Sequence, residues 1–257
     1  MRFNAAFYKA AWQWIGQDIL QLVTDFYTSA SLPSEINRTY IALIPKKAQA
    51  MSPQDFRPIS LCNVSYKIIA KSLAERLKPH LPDYIHAAQT AFVHNRHIST
   101  NIIATQEIIH SFSLSTWNHM AFILKIDLAK AFDRISWNFI TNALTRLGLS
   151  DHFISLIQAC ITTNTFSVLV NGQPTDFFKP GRGIRQGCPL SPYLFVVAIN
   201  ELSKSLQQQL QTNQLTGISL GPNCPPIHSL MFADDLIICG HASPHEANVI
   251  KNVLNNF

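Results

Sequence analysis

An α+β fold is what this sequence predicts, on three observations. Runs with helical periodicity alternate with short apolar, strand-like runs, and neither an internal repeat nor a low-complexity segment interrupts them. Two of the strand-like runs deliver carboxylates: Phe122-Ile123-Leu124-Lys125-Ile126-Asp127, and Ser229 to Cys239, where Asp234-Asp235 sits between apolar halves that otherwise read as a buried hairpin. Finally, 257 residues that are 47% hydrophobic and 14% charged can bury a large core. One domain or two closely packed subdomains fit this length.

The elements follow in order. Phe7, Ala11, Ile15, Ile19, Val23 and Phe26 recur at helical spacing and read as core positions, with Leu32-Pro33 as the stop. Thr39 to Ile44 reads as a strand ending at Pro45-Lys46-Lys47, and Ser65 to Leu81 as a helix ending near Pro82. In that helix Lys67, Lys71 and Lys78 share one face, opposite Ile68, Ile69, Leu73, Leu77 and Leu81, which is first of all the pattern of a solvated amphipathic helix. Asn101 to Phe112 predicts another helix. Ser136 is the N-cap of a further one through Leu147, with Gly148 as its stop. Phe166 to Val170, Asn171-Gly172 and Phe177-Phe178 predict a hairpin.

Composition excludes several classes. No apolar run approaches the roughly 18 residues of a membrane span, and Met1-Arg2-Phe3-Asn4 is not followed by the apolar core of a signal peptide. An intracellular protein without a membrane partner is expected, in nucleus or cytoplasm. Cys62, Cys160, Cys188, Cys224 and Cys239 are odd in number, widely spaced and without a CxxC pair, so neither a disulfide framework nor a zinc knuckle is indicated; reduced, partly buried thiols are expected. The net charge is +5, and from Arg38 to Arg96 nine Lys or Arg stand against three Asp or Glu, a balance that suits a polyanion.

The acids carry the chemistry. At an effective dielectric of about 20, two carboxylates some 5 Å apart repel by roughly 3 kcal/mol, so a divalent ion between them eases their ionisation. Three acids at strand ends point to a two-metal site. Between the two acidic strands in sequence lies Pro180-Gly181-Arg182-Gly183-Ile184-Arg185-Gln186-Gly187-Cys188-Pro189-Leu190-Ser191-Pro192. Glycine lets backbone approach a ligand and arginine favours phosphate, so this loop is a candidate wall of a nucleotide site; alone it reads equally as a turn-rich connector. Cys239, His241 and His245 are set aside as metal ligands because Pro244 breaks the helical geometry they would need. His94 and His97 flank Arg96 in what reads as a solvated surface segment. Asp133 is assigned to orienting local backbone.

Five ordered blocks then carry a resemblance: Leu43-Ile44-Pro45-Lys46; Phe56-Arg57-Pro58-Ile59-Ser60-Leu61; Ile126-Asp127 with Ala131-Phe132-Asp133; Arg182 to Pro192; and Phe232-Ala233-Asp234-Asp235. Together they resemble the reverse transcriptase domain of plant non-LTR (LINE-type) retrotransposons over nearly the whole chain. The resemblance implies a right-hand polymerase: a fingers-like region with a helical N-terminus over 1–112 and a palm on an antiparallel sheet over 113–257, with the thumb absent. It implies RNA-directed DNA synthesis by nucleotidyl transfer from a dNTP to a DNA primer 3′-hydroxyl on an RNA template. Two Mg2+ ions, with Mn2+ as a substitute, would be held by Asp127, Asp234, Asp235 and the backbone carbonyl of Leu128. Arg57 would contact the triphosphate, with Lys46 and Lys67 as weaker candidates for phosphate or template; Phe132 would lie beneath the sugar and exclude a 2′-hydroxyl. Gln186 and Gly187 would pack on the incoming nucleotide and template.

Taken individually, Phe132 also reads as a core aromatic, Arg57 as a surface charge and Gln186 as an ordinary turn residue. The PGPDG-type opening of the family, a C-terminal lysine element, an endonuclease and a zinc knuckle are not in this sequence, so a fragment incomplete at its C-terminus is expected. Two other readings stand beside a polymerase: a catalytically inactive remnant that only binds nucleic acid, and a metal-dependent phosphodiesterase. Oligomeric state is left open by the sequence.

Overall fold

The structure, a computed structural model, describes residues 3–113, 121–221 and 223–257. In chain order the first elements are α1 (Ala5–Ala10), α2 (Trp12–Ser29), β1 (Arg38–Pro45), β2 (Phe56–Cys62), α3 (Val64–Leu77), α4 (Leu81–Tyr84), α5 (Ile98–Ser113) and β3 (Ala121–Asp127). There follow α6 (Ala131–Arg134), α7 (Trp137–Arg146), α8 (Asp151–Thr162), β4 (Thr165–Val170), β5 (Gln173–Pro174), α9 (Ser191–Gln211), β6 (Ser229–Phe232), β7 (Asp235–His241) and α10 (Pro244–Asn256). The fold is mixed α+β. Its described residues divide into two compact units, one of residues up to Leu77 with Phe132–Leu194, the other of Lys78–Ala131 with Phe195–Phe257. Neither unit is continuous in sequence: in the first, β4 pairs with β1, and in the second, Ala88 and Thr90 bond to Met231 of β6.

The first unit is built on a sheet of order β2-β1-β4-β5, with β1 antiparallel to β2 and parallel to β4. The first helix is split where Ala11 ends α1 and opens α2. Of its expected core positions only Ala11 and Phe26 are buried; Ile15, Ile19 and Val23 are half-covered and Phe7 is exposed. The periodicity is real, but the helix docks mainly through its C-terminal end, where Tyr27 Oη meets Ser72 Oγ at 2.9 Å and Arg76 lies 4.3 Å over the Tyr27 ring. In α3, Ile69, Leu73 and Leu77 are fully buried, while Lys67 and Lys71 are exposed, as amphipathy requires. The helix stops at Leu77 instead of near Pro82, because Pro79 disfavours helical backbone at Lys78 and a 3₁₀ turn follows.

Ser136 does precede α7, without a side-chain cap bond, and Gly148 ends the segment at φ +85°. Helix α8 has no counterpart among the elements expected from sequence; Ser150 Oγ accepts the Phe153 N–H at its start, and Leu156, Ile157 and Cys160 are buried. Asn171 and Gly172 both take positive φ, 49° and 79°, the type I′ turn that Asn-Gly favours.

The second unit is built on a three-stranded antiparallel sheet of order β3-β7-β6. Ile108 of α5 packs on Leu230, Cys239, Ile123 and Ile237 at one face of that sheet. The apolar run at Tyr193 lies inside α9, every residue of which from Leu194 to Asn200 is buried. Pro244 opens α10 at a position where its missing N–H costs nothing, with Ser243 Oγ accepting the Glu246 N–H. Glu246 turns inward: Oε1 accepts the Thr216 N–H (3.1 Å) and hydroxyl, and Oε2 accepts the His241 N–H at 2.9 Å.

No helix among the described residues is long and apolar enough to cross a membrane. All five cysteines are free; Cys160, Cys188 and Cys239 are buried, Cys62 partly so, and Cys224 is exposed. Burial pushes the Cys160 and Cys239 thiols up to about 12, which leaves them protonated and unreactive.

Candidate active site

The acids meet through sheet register. Asp127, the last residue of β3, is the direct partner of Asp235, the first residue of β7. Directly opposed residues of an antiparallel pair have Cα atoms about 4.5–5.5 Å apart and side chains on one face. Phe232 also pairs with Asp235, so Ala233 and Asp234 form a two-residue hairpin loop. Ala233 has φ 54°. Positive φ at the first loop position is the type II′ arrangement, where glycine is usual; alanine there carries a Cβ penalty of about 1–2 kcal/mol. Asp127 and Asp235 are exposed and Asp234 is half-buried. Lys125 Nζ lies 3.3 Å from Asp235 Oδ1.

Thus the second unit gathers Asp127, Leu128, Asp234 and Asp235 at one sheet corner. The Leu128 carbonyl accepts the Ala131 N–H at 3.1 Å, which leaves it one lone pair. Among the described residues no three His, Cys, Asp or Glu side chains are grouped closely enough to hold a metal unaided. The donor set of exposed carboxylates with a carbonyl, lacking imidazole or thiolate, is chemically that of a hard ion such as Mg2+ or Mn2+. His241 ends β7 and His245 lies in α10, apart from any such donor group.

The other expected residues lie in the first unit. Arg57 is exposed on β2 opposite Ile44. Three residues along that strand the Ser60 N–H donates to the Gln186 carbonyl at 2.8 Å, and Gln186 Nε2 reaches Asp133 Oδ1 at 3.4 Å. Gly187, at φ +102°, rests against the Ser60 carbonyl, 3.2 Å from where a Cβ would stand. Phe132 is half-buried in α6 and its carbonyl accepts the Ile184 N–H at 2.8 Å. At Gly183, φ +88°, an added Cβ would stand 2.7 Å from the Asp133 carbonyl oxygen. The glycines therefore admit neighbouring backbone, which fixes the loop on β2 and α6.

Two arginines have other work than phosphate. Arg185 is 4% exposed; its guanidinium donates to Thr39 Oγ1 (3.1 Å) and the Cys160 carbonyl (2.8 Å) and lies 3.8 Å over the Tyr66 ring. The expectation that it faces a nucleotide is corrected: the Tyr66 ring and the open carbonyl end of α8 hold it inside. Burial in turn pushes the Tyr66 hydroxyl well above its ordinary range. Arg96, read from sequence as part of a solvated segment, donates to the carbonyls of His86 (2.7 Å), Gln89 (2.9 Å), Pro82 (2.9 Å) and Ile85 (2.8 Å). His94 and His97 beside it are exposed.

Sequence reasoning also missed Gln89, whose fully buried amide reaches the Ala233 turn; its Ala-Ala-Gln-Thr context gives no signal.

The fold is one that telomerases share. Telomerase from Candida albicans, solved with a TWJ fragment of telomeric RNA, superposes with a TM-score of 0.59 over 93% of this chain and 43% of that one, at 16% identity, a likeness of fold. Sequence narrows the class. Residues 44–257 match the family model described as reverse transcriptase (RNA-dependent DNA polymerase), and the chain belongs to that family. It is 31% identical over 232 residues, 90% of its length, to the Transposon TX1 uncharacterized 149 kDa protein of Xenopus laevis. It is 31% identical over 199 residues, 76% of its length, to the retrovirus-related Pol polyprotein from type-1 retrotransposable element R2 of Popillia japonica. The chain spans 17% and 26% of those two proteins.

Proposed function

We propose that this chain is the RNA-directed DNA polymerase region of a plant non-LTR retrotransposon protein, acting within the cell, in nucleus or cytoplasm, on an RNA template, a DNA primer and dNTPs. The observation that carries the reading is the register of Asp127 on Asp235 with Asp234 in the adjoining turn. In this reading Asp127, Asp234 and the Leu128 carbonyl hold two Mg2+ ions, and Asp235, paired with Lys125, tunes the corner's charge. Bound there, the ions would supply activation of the primer 3′-hydroxyl and stabilisation of the pyrophosphate leaving group. The protein's own contribution is placement. The carboxylates orient metal and phosphate oxygens, Arg57 attracts the triphosphate, and the Gln186–Gly187 backbone, tied to β2, gives nucleotide and template a rigid surface to pack on. Phe132 excludes a 2′-hydroxyl by bulk.

Primer extension on an RNA template tests this. Template-dependent product that falls at least about 10³-fold in Asp234→Ala supports it, that being the scale of losing a group that acts at the transition state. Salt-sensitive binding without extension points to a remnant that only binds nucleic acid, and hydrolysis of unprimed substrate to a phosphodiesterase.

A further inference from the structure

We infer that Gln89 is a positioning residue that holds the Ala233–Asp234 turn in the form that presents Asp234. The inference rests on the reading of Asp234 as a metal ligand. Gln89 is 0% exposed, and both ends of its amide are spent on one residue of the turn. Oε1 accepts the Ala233 N–H at 3.1 Å, Nε2 donates to the Ala233 carbonyl at 3.3 Å, and Oε1 also accepts the Ala91 N–H at 2.9 Å. A peptide N–H reports the torsion before its Cα and a carbonyl the torsion after it. Holding both therefore pins φ and ψ of Ala233, the residue in the left-handed region, and with them the peptide plane that begins Asp234.

The support behind Gln89 is specific. β6 is an edge strand, and residues 88–91 lie along it: the Met231 N–H donates to the Ala88 carbonyl (2.8 Å), the Thr90 N–H to the Met231 carbonyl (3.1 Å), and Asn101 Nδ2 to that same carbonyl (2.8 Å). Arg96 in turn holds the Gln89 carbonyl. These bonds fix the strand, whereas the Gln89 side chain reaches past its end to the turn itself. A general stabiliser of β6 would have no need to bond both sides of the one residue with a disfavoured φ.

The test uses the full chain and two readouts. The first needs no metal: NMR hydrogen exchange and amide shifts of Ala233 and Asp234. Gln89→Met, close in shape and without an amide, should speed Ala233 exchange by about tenfold, the equivalent of one hydrogen bond. The second is affinity for Mn2+ alone, followed by electron paramagnetic resonance. It should fall about tenfold in Gln89→Met. Adding Ala233→Gly should return it to within about twofold of Ala233→Gly alone, because glycine keeps positive φ without a clamp. A merely structural glutamine would not be rescued that way, so a double variant as weak as Gln89→Met, or unchanged Ala233 exchange, overturns the inference.

Should Gln89→Met not fold, Gln89→Glu carries the test: it keeps the accepted N–H bonds and loses the donation, so the Asp234 amide shift must move while Ala233 stays protected, and an unmoved shift overturns it. If the wild-type chain holds Mn2+ no better than Asp234→Asn, it is the metal reading that fails, and the exchange arm still decides for or against the clamp.

Discussion

Acid should destabilise this protein through the buried imidazole of His228 above all. His228 is 3% exposed, with Nε2 2.8 Å from Gln207 Oε1 and Nδ1 2.9 Å from Ser229 Oγ, an arrangement that suits a neutral ring donating to Gln207 and accepting from Ser229. Burial, and secondarily the neighbouring His86, lower it from 6.5 to about 4. Above pH 6.5 the ring is neutral whether the chain is folded or not, and its full contribution is present. Between 6.5 and 4 the unfolded chain takes a proton that the folded one refuses, so stability falls as pH falls, by about 3 kcal/mol in all and no more than about 1.4 kcal/mol per pH unit. Below about 4 the loss from this group is complete. His86, its ring centroid 5.4 Å from that of His228, is lowered by burial too and adds in the same direction. Against a total stability of about 5–15 kcal/mol this is a large effect. Urea unfolding from pH 7.5 to 4, compared between wild type and His228→Gln, isolates it from the carboxylates. The two stability curves should converge as pH falls. If they stay parallel across that range, the ring is not held neutral by burial.

Two substitutions probe the loop of the first unit. Gly183→Ala sets a Cβ against the Asp133 carbonyl at a φ of +88° and should cost about 2–3 kcal/mol in urea unfolding, whereas a loss under about 0.5 kcal/mol would show the loop free to move. Arg185→Lys removes the planar stacking on Tyr66 and one of two hydrogen bonds and should cost about 2–3 kcal/mol; a variant with native stability but weakened dNTP binding would restore the phosphate role assigned from sequence.

The parts of this fold legible in the sequence are those set by short-range chemistry. The Asn171-Gly172 turn, the amphipathic α3 and the strands around Asp127 and Asp234 each announce themselves through backbone preference or period. So did the acids as a group, because carboxylates between apolar strands have few structural uses. What was not legible depends on partners remote in sequence. Arg96 and Arg185 belong to segments that read as polyanion contacts, yet both collect backbone carbonyls, and nothing local separates the two fates of a guanidinium. Helix α8 went unread although Ser150 marks its start, because Ile154, Leu156, Ile157, Ala159, Cys160 and Ile161 form a short, nearly continuous apolar run that does not by itself tell helix from strand. Pro244 was read as breaking a helix that it in fact begins, a reminder that proline's meaning depends on whether a helix has already started.

Withdrawing those arginines changes the electrostatic picture. Of the nine basic side chains between Arg38 and Arg96, Arg96 is bound to carbonyls, Arg76 lies on Tyr27, and Lys47 and Lys71 are paired with Asp55 and Glu75. The segment's formal excess therefore overstates the charge it can present to a polyanion. The acidic corner is eased in the opposite sense. Asp127 and Asp235 stand opposite one another, but both are exposed, where repulsion at about 4–5 Å falls toward 1 kcal/mol, and Lys125 offsets part of it. The corner can thus form without waiting for a cation. Its backbone is set by strand register and by the hydrogen bonds of Gln89 to the Ala233 turn, so that, in the function proposed above, a metal ion would meet a corner whose main chain is already formed.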